Sequence, residues 1–247
     1  MMIGRFKYDN EIFYGEIKGN RVVVNRELYN DTFLLIDLQL LPPVQPTKII
    51  CVGLNYLDHA KELGMKIPEE PVFFLKPVSA VISSMGKIVY PEMSKHIDYE
   101  WELAVIICRR CKIISRNDAQ SVIMGYTCFN DVTARDLQNK DVQWTRSKSF
   151  DTFAPLGPYI ADYMLDVSNL DIRTRVNGKL RQDSNTSNMI FDVPYLIEFI
   201  SSIMTLERGD IISTGTPSGV GELFVGDEVE VEIENVGLLK NTVVAKN

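Results

Sequence analysis

The chain has 247 residues, 45% of them hydrophobic, with a net charge of −7 and a pI near 5.0. That length and apolar share support one large core with at most a small appendage, and no apolar run approaches the roughly 18 residues of a membrane span. No Lys/Arg-rich run is present, so nucleic acid is not an expected partner, and an anionic substrate needs local positive charge or a metal.

The first residues, Met1 to Asp9, lack the apolar core of a signal peptide, and the expected location is the cytoplasm. Residues 4–24 read as a β-hairpin, with Phe13, Ile17, Val22 and Val24 flanking a turn at Lys18-Gly19-Asn20. Pro42, Pro43 and Pro46 mark a linker, so residues 1–45 are expected to form a small N-terminal β module and 46–247 the main domain. The main domain opens on a buried strand, Lys48 to Gly53, and Asp58–Leu63 is expected to be a short helix. Strand-like runs recur at 103–107, 124–129, 172–176 and 210–213. Asn177-Gly178 is a two-residue hairpin signal. Pro194 suits the first turn of a helix through about Thr205. Val229, Val231 and Ile233 alternate with Glu228, Glu230, Glu232 and Glu234, which makes a strand with one wet face. Many strands and few helices give a mainly β fold with some α (α+β).

Four groupings carry candidate chemistry. Glu100 and Glu102 lie one residue apart in a strand-like run and point the same way, while Tyr99, Trp101 and Leu103 point the other way. Two carboxylates side by side in an apolar strand repel each other, and a hard divalent cation removes that repulsion. A solvated edge strand explains the pair as well, as Glu228 to Glu234 illustrate. Asp131, Arg135 and Gln138 fall at i, i+4 and i+7 of a helix expected to begin near Asp131. That face offers an anion, a fixed cation and an amide; an exposed helix face, with Asp131 as N-cap, fits equally. His59 and Glu62 are three residues apart, so the carboxylate can fix the imidazole tautomer and leave the other nitrogen as a base. A surface histidine beside an incidental glutamate has the same spacing. His96 shows no comparable partner and reads as structural. Lys148, among Trp144 and Phe150, is placed to stabilise an enolate or to lie on the surface with a buried stem. The Gly-rich run Thr214 to Gly221 lacks a P-loop ending and suits a tight loop that brings backbone N–H groups and Thr216 to a small anion. Cys108-Arg109-Arg110-Cys111 has C-x-x-C spacing without the further ligands a zinc site needs.

Taken in order, these segments resemble the fumarylacetoacetate hydrolase family. The matching pieces are Gly53-Leu54-Asn55-Tyr56 with His59, Ala60 and Glu62; Phe74-Leu75-Lys76-Pro77; Tyr99 to Leu103; Asn130 to Gln138; Lys148-Ser149-Phe150-Asp151; Val176-Asn177-Gly178; and Gly209 to Ile212 with Thr214 to Pro217. The likeness runs from about residue 47 to the C-terminus. It implies a mixed β-roll core, assembled as a homodimer. It implies a Mg²⁺, Mn²⁺ or Ca²⁺ site on Glu100, Glu102 and Asp131, and a His59–Glu62 dyad on a mobile lid. Lys148 is then expected beside the metal, with Arg135, Gln138 and Thr216 binding substrate. The closest types are acylpyruvases, oxaloacetate decarboxylases and the 2-hydroxyhepta-2,4-diene-1,7-dioate isomerase.

The first expectation is metal-dependent hydrolysis of a C–C bond in an acylpyruvate-type 2-oxo acid, with His59–Glu62 activating water and the cation and Lys148 holding the enolate. The same electron sink serves decarboxylation of oxaloacetate and enol–keto isomerisation. A rival of another class is a non-catalytic β-rich protein that holds a metal or a carboxylate and assigns no work to His59 and Lys148.

Overall fold

The computed structural model describes residues 1–25 and 30–246. Its centre is a large sheet in the strand order Asn30–Leu34, Arg21–Asn25, Glu11–Lys18, Met2–Tyr8, Ala154–Asp162, Ile123–Asn130, Trp101–Ile107, Ile211–Ser213, Ile49–Val52 and Phe73–Lys76. A five-stranded sheet runs Lys179–Asn185, Asp171–Val176, Glu228–Ile233, Gly237–Ala245 and Lys87–Tyr90. A third sheet joins Thr133–Ala134, Ile97–Tyr99 and Gly221–Leu223. Four α-helices are described: α1 (Leu57–Leu63), α2 (Arg135–Lys140), α3 (Thr145–Lys148) and α4 (Val193–Ile203). The fold is therefore α+β with strands dominant. No helix among the described residues is long and apolar enough to cross a membrane.

The period-2 alternation of strands explains how the core divides. Along Trp101–Ile107 every residue is buried. Trp101, Leu103, Val105 and Ile107 pack into the larger core with Leu196, Ile197 and Ile200 of α4. Ala104 and Ile106 face a second core with Ile49, Phe129 and Leu156. Glu102 shares the parity of Ala104 and Ile106, so it is carried inside by a strand covered on both faces. Burying each large apolar neighbour contributes about 1.5–3 kcal/mol, and this surplus offsets the unfavourable burial of the carboxylate.

Several expected elements are present, with adjusted ends. The Asn177-Gly178 turn has φ of 51° and 74°, the left-handed pair that a tight hairpin requires. Asp192 caps α4 through the Tyr195 N–H, with Pro194 in the first turn. The wet-faced strand Glu228–Ile233 buries Val229, Val231 and Ile233. At the N-terminus the pattern extends beyond one hairpin, because Met2–Tyr8 pairs with both Glu11–Lys18 and Ala154–Asp162. A separate apolar cluster of Phe6, Phe13, Val22 and Val24 fills this end.

Two local expectations differ. The helix does not start near Asp131. Strand Ile123–Asn130 is followed by a short strand, Thr133–Ala134, and α2 begins at Arg135 without a side-chain cap. Pairing of Thr133 and Ala134 with Asp98 and Ile97 holds this stretch extended, and the Asp131 carboxylate is occupied by lysines rather than by helix N–H groups. The run from Asp98 to Ile107 is also not one strand. It is divided at Glu100 between the small sheet and the central one.

Candidate active site

Glu100 and Asp131 are brought together by backbone. The Asp131 N–H donates to the Glu100 carbonyl at 2.8 Å, and the Glu100 N–H donates to Asn130 Oδ1 at 3.1 Å. Glu102 enters from the next inward position of the strand. One carboxylate oxygen from each of Glu100, Glu102 and Asp131 lies within 4.8 Å of the others, and all three residues are buried. The expected triad is thus assembled, although Asp131 reaches it from a loop rather than from a helix.

Three cations surround these acids. Lys148 Nζ donates to Glu100 Oε2 at 2.8 Å and to Asp131 Oδ2 at 2.7 Å, and it lies over the Phe74 ring at 4.9 Å. Lys76, buried and anchored on the Val132 carbonyl at 3.0 Å, bonds the other oxygen of Asp131. Arg135 bonds Glu100, Gln138 and, at 2.7 Å, Asp98. Burial alone would raise the Glu100 carboxyl, but Lys148 and Arg135 outweigh it and hold the group at about 2. Burial disfavours the Lys148 ammonium, yet Asp131 and Glu100 outweigh that and raise its pKa. Lys148 therefore stays protonated and acts as a fixed charge.

Glu102 is different. It accepts from Ser213 Oγ and from the Gly215 N–H at 2.9 Å, and both bonds end on Oε2. No cation bonds it among the described residues. Burial first, and then the charge of Asp131, push its carboxyl up to about 8. With Asp98, which shares Arg135, the site holds four buried carboxylates and three cations, and the carboxylate without a cation is Glu102; this is the charge pattern that a hard divalent ion fits. Gly215 has φ +94°, and a Cβ there would stand 2.9 Å from Asn55 Cβ, so glycine is required for its N–H to reach Glu102.

The triad opens into a cavity of about 540 Å³. His59, Glu62, Arg135, Gln138, Lys148 and Thr216 all line it, as do Asp98 and Asn139. Its remaining wall is apolar, with Leu54, Leu63, Met65, Phe74, Trp144 and Val220. His59 Nδ1 meets Glu62 Oε2 at 2.9 Å, and the Glu62 carboxylate also accepts from the Gly219 N–H at 3.0 and 3.2 Å. Glu100, Glu102 and the other residues expected to bind or act on substrate thus border this cavity, whereas Asp131 does not line it and joins the site through its contact with Glu100 and Glu102. Arg135 Nε, Nη1 and Nη2 each meet one protein acceptor, Asp98, Gln138 and Glu100, and the side chain still lines the cavity with N–H donors to spare.

Sequence reasoning missed Asp98, Lys76, Ser213 and the partner of His96. His96 Nε2 meets Asp98 Oδ1 at 2.7 Å, and Asp98 passes its other oxygen to Arg135. The signal was present in the alternation His96, Asp98, Glu100, Glu102. Lys76 stood in Phe74-Leu75-Lys76-Pro77 without an assigned role.

A family model described as fumarylacetoacetate (FAA) hydrolase C-terminal matches residues 48–244. The chain belongs to the fumarylacetoacetate hydrolase family. It is similar to oxaloacetate tautomerase FAHD2B, mitochondrial, of Bos taurus, at 45% identity over 83% of this chain and 69% of that protein. It is similar to the structure of a 5-carboxymethyl-2-hydroxymuconate delta-isomerase from Mycobacterium smegmatis, at 43% identity and TM-score 0.92 over 100% of both chains. A maleylpyruvate hydrolase from Sphingobium sp. SYK-6, in complex with manganese(II) ion and pyruvate, is 30% identical with TM-score 0.84 over 100% of both chains. The protein is an enzyme of this family, and the non-catalytic reading is set aside. Its fumarylacetoacetate hydrolase fold carries a buried acidic triad able to hold a metal ion.

Proposed function

We propose that this enzyme moves a proton between the enol and keto forms of a small 2-oxo acid, with oxaloacetate-type acids as the substrate class. The observation that carries the reading is the His59–Glu62 pair, 2.9 Å apart, lining the same cavity as Glu100 and Glu102. Glu100, Glu102 and Asp131 would hold a divalent cation, Mg²⁺ or Mn²⁺, with Ca²⁺ as a further candidate. Such an ion supplies positive charge that binds the acid's oxygens and stabilises enolate character.

The chain's own residues do the rest. Glu62 accepts the Nδ1 proton of His59, which fixes the tautomer and leaves Nε2 for proton exchange. In the enol-to-keto direction His59 Nε2 takes the proton of the enol oxygen, and the imidazolium so formed gives it to the adjacent carbon, which leaves the imidazole as it began. Exchange of that proton with solvent is open through the 41%-exposed Glu62 side chain. Lys148 keeps its ammonium beside the bound oxygens. The Gln138 amide and the Thr216 hydroxyl orient the acid. The apolar wall of Leu63, Met65, Trp144 and Val220 limits water around the enolate.

C–C bond hydrolysis of an acylpyruvate, ranked first from the sequence, is kept as the second reading. The exposure of Glu62 favours it, because water can approach the dyad. Proton transfer is placed before it because a tautomerase and an isomerase relative share 45% and 43% identity, against 35% and 30% for two hydrolases. Decarboxylation of oxaloacetate draws on the same electron sink. The same proposal includes residues 1–45 as a small β module, 46–247 as the catalytic domain, a homodimer and a cytoplasmic location. The test follows loss of enol absorbance from freshly dissolved oxaloacetate with Mg²⁺ or Mn²⁺, and pyruvate release from acylpyruvates in parallel. Enol decay accelerated by the wild type and not by His59→Ala supports the first reading. Pyruvate release without enol decay overturns it.

A further inference from the structure

We propose that Gln182 is a positioning residue, which sets the His59–Glu62 pair by holding the Thr216–Gly219 loop. This rests on the reading of that pair as the proton mover. Gln182 lies in strand Lys179–Asn185 and is 1% exposed. Its Nε2 donates to Thr216 Oγ1 at 3.2 Å, the Pro217 carbonyl at 2.8 Å and the Ser218 carbonyl at 3.1 Å. Its Oε1 accepts from the buried Thr174 hydroxyl at 3.0 Å. A flipped amide would set oxygen against two carbonyl oxygens, so the acceptors fix its orientation.

The strand is shaped for this contact. Thr174 faces Gln182 and Arg175 faces Leu180, so Arg181 is an extra residue, a β-bulge. The Arg181 carbonyl would stand 2.6 Å from a Cβ on Gly219, which has φ +91°. Only glycine lets the loop lie this close to the bulge. From that position the Gly219 N–H donates to both Glu62 oxygens, and its carbonyl accepts from the Tyr99 hydroxyl at 2.9 Å. Two residues along the same strand, Ser184 Oγ donates to Asp58 Oδ2 at 2.6 Å, at the other end of α1. Residues 182 and 184 share a strand face. One strand therefore holds both ends of α1.

The C-terminal end of helix α1 has little else to hold it. Its seven residues bury only Ala60, whereas its start is anchored by the fully buried Asn55 and Tyr56, which bond Phe191 and Thr214 and bridge to Met189, so the Gly219 contact is what docks the far end. Removing Gln182 leaves three loop acceptors without their buried donor. The loop then relaxes, Gly219 no longer fixes Glu62, and the imidazole loses its orientation. Displacement of a catalytic group by about 1 Å lowers rates about 100-fold. Gln182 touches none of the three acids, and Glu102 is held upstream by Ser213 and Gly215.

The experiment compares Gln182→Leu with wild type in three readouts: hydrogen exchange of the Ala60, Gly64 and Met65 amides, Mn²⁺ affinity by calorimetry, and kcat for enol-oxaloacetate. The expected result is exchange faster by about tenfold, corresponding to loss of about one net hydrogen bond, with Mn²⁺ affinity kept within about twofold. The kcat is expected to fall about 100-fold, and this loss to shrink below about threefold in a Glu62→Ala background, since both changes act through one contact. Unchanged α1 exchange, losses that multiply in the double variant, or Mn²⁺ affinity falling with the rate overturns the proposal. Should Gln182→Leu not fold, Tyr99→Phe decides: it removes the hydroxyl that donates to the Gly219 carbonyl of the same loop and is expected to speed α1 exchange about threefold, and unchanged exchange overturns the proposal. The exchange readout needs no turnover. A protein inactive on every 2-oxo acid would sink the functional reading, while α1 exchange alone would still decide whether the strand holds the helix.

Discussion

The acidic triad and the His59–Glu62 pair line one cavity, yet they are built on opposite plans. Glu102 and Asp131 are about 1% exposed, Glu100 is 8% exposed, and all sit at the ends of buried strands, crossed by bonds from Lys76, Lys148, Arg135, Ser213 and Gly215. The pair rides on α1, whose Leu57 and Leu63 are exposed and whose Glu62 is tied down by one backbone N–H. Charge stabilisation needs groups that do not move, since reorganisation of dipoles would consume the benefit. Proton transfer needs a group that can admit substrate and then close on it. The two halves of the site are accordingly a stiff cage and a loosely docked arm.

If that contrast is correct, damage to the cage affects fold and function together, and damage to the arm affects function alone. Asp131→Ala has the largest expected effect. It leaves Lys76 and Lys148 buried beside a missing partner, which costs about 3–5 kcal/mol of stability, and it removes a metal ligand. Denaturant melts and Mn²⁺ calorimetry read both losses; a variant as stable as wild type would show that the cage is not stiffened by its ion pairs. His59→Ala comes next: turnover should fall about 10²- to 10⁴-fold with thermal midpoint and Mn²⁺ affinity unchanged. Undiminished turnover would remove the arm from the chemistry.

The pH response separates the halves further. The folded Glu102 carboxyl is raised from 4.5 to about 8, so between those values the folded chain keeps a proton that the unfolded chain releases. Stability of the metal-free protein therefore falls as pH rises through this window. A bound divalent cation, which needs the ionised carboxylate, should stabilise more as pH rises toward 8. Melting curves in chelator and in Mg²⁺ from pH 5 to 9 test this, and Glu102→Gln should flatten the chelator series. Glu100 works in the opposite sense. Held at about 2, it contributes stability that is complete above its ordinary range and lost as pH falls toward 2. The smallest effect is expected from Ser184→Ala, which removes the bond to Asp58 and about 1 kcal/mol of local α1 docking. Exchange at Ala60 should rise about fivefold with the triad's metal affinity unchanged.

Much of the fold was readable from local pattern, because local pattern caused it. The Asn177-Gly178 turn, Pro194 in the first turn of its helix and the alternating valines of 229–233 need no distant partner to be recognised. Asp131 shows where such reading stops. Its sequence suited a helix cap, but two buried lysines, 55 and 17 residues away, and pairing of Thr133 with Asp98 made it a buried ligand in a loop. His96 illustrates the converse. Its partner lay two residues on, but a search at helical spacing does not find a neighbour on a strand face.

The sequence by itself determined the inventory of the site: paired glutamates in an apolar run, a histidine with a glutamate three residues on, a lysine among aromatics and a Gly-rich loop. It also determined the order in which they occur, and with it the family. Only the tertiary structure decided which groups compensate one another. Glu100 is ionised because Lys148 and Arg135 converge on it, and Glu102 is left short of a cation because Ser213 and Gly215 are the neighbours it meets. Those neighbours lie more than 100 residues away in the chain. Charge balance depends on distances in space, and no spacing along the chain encodes them.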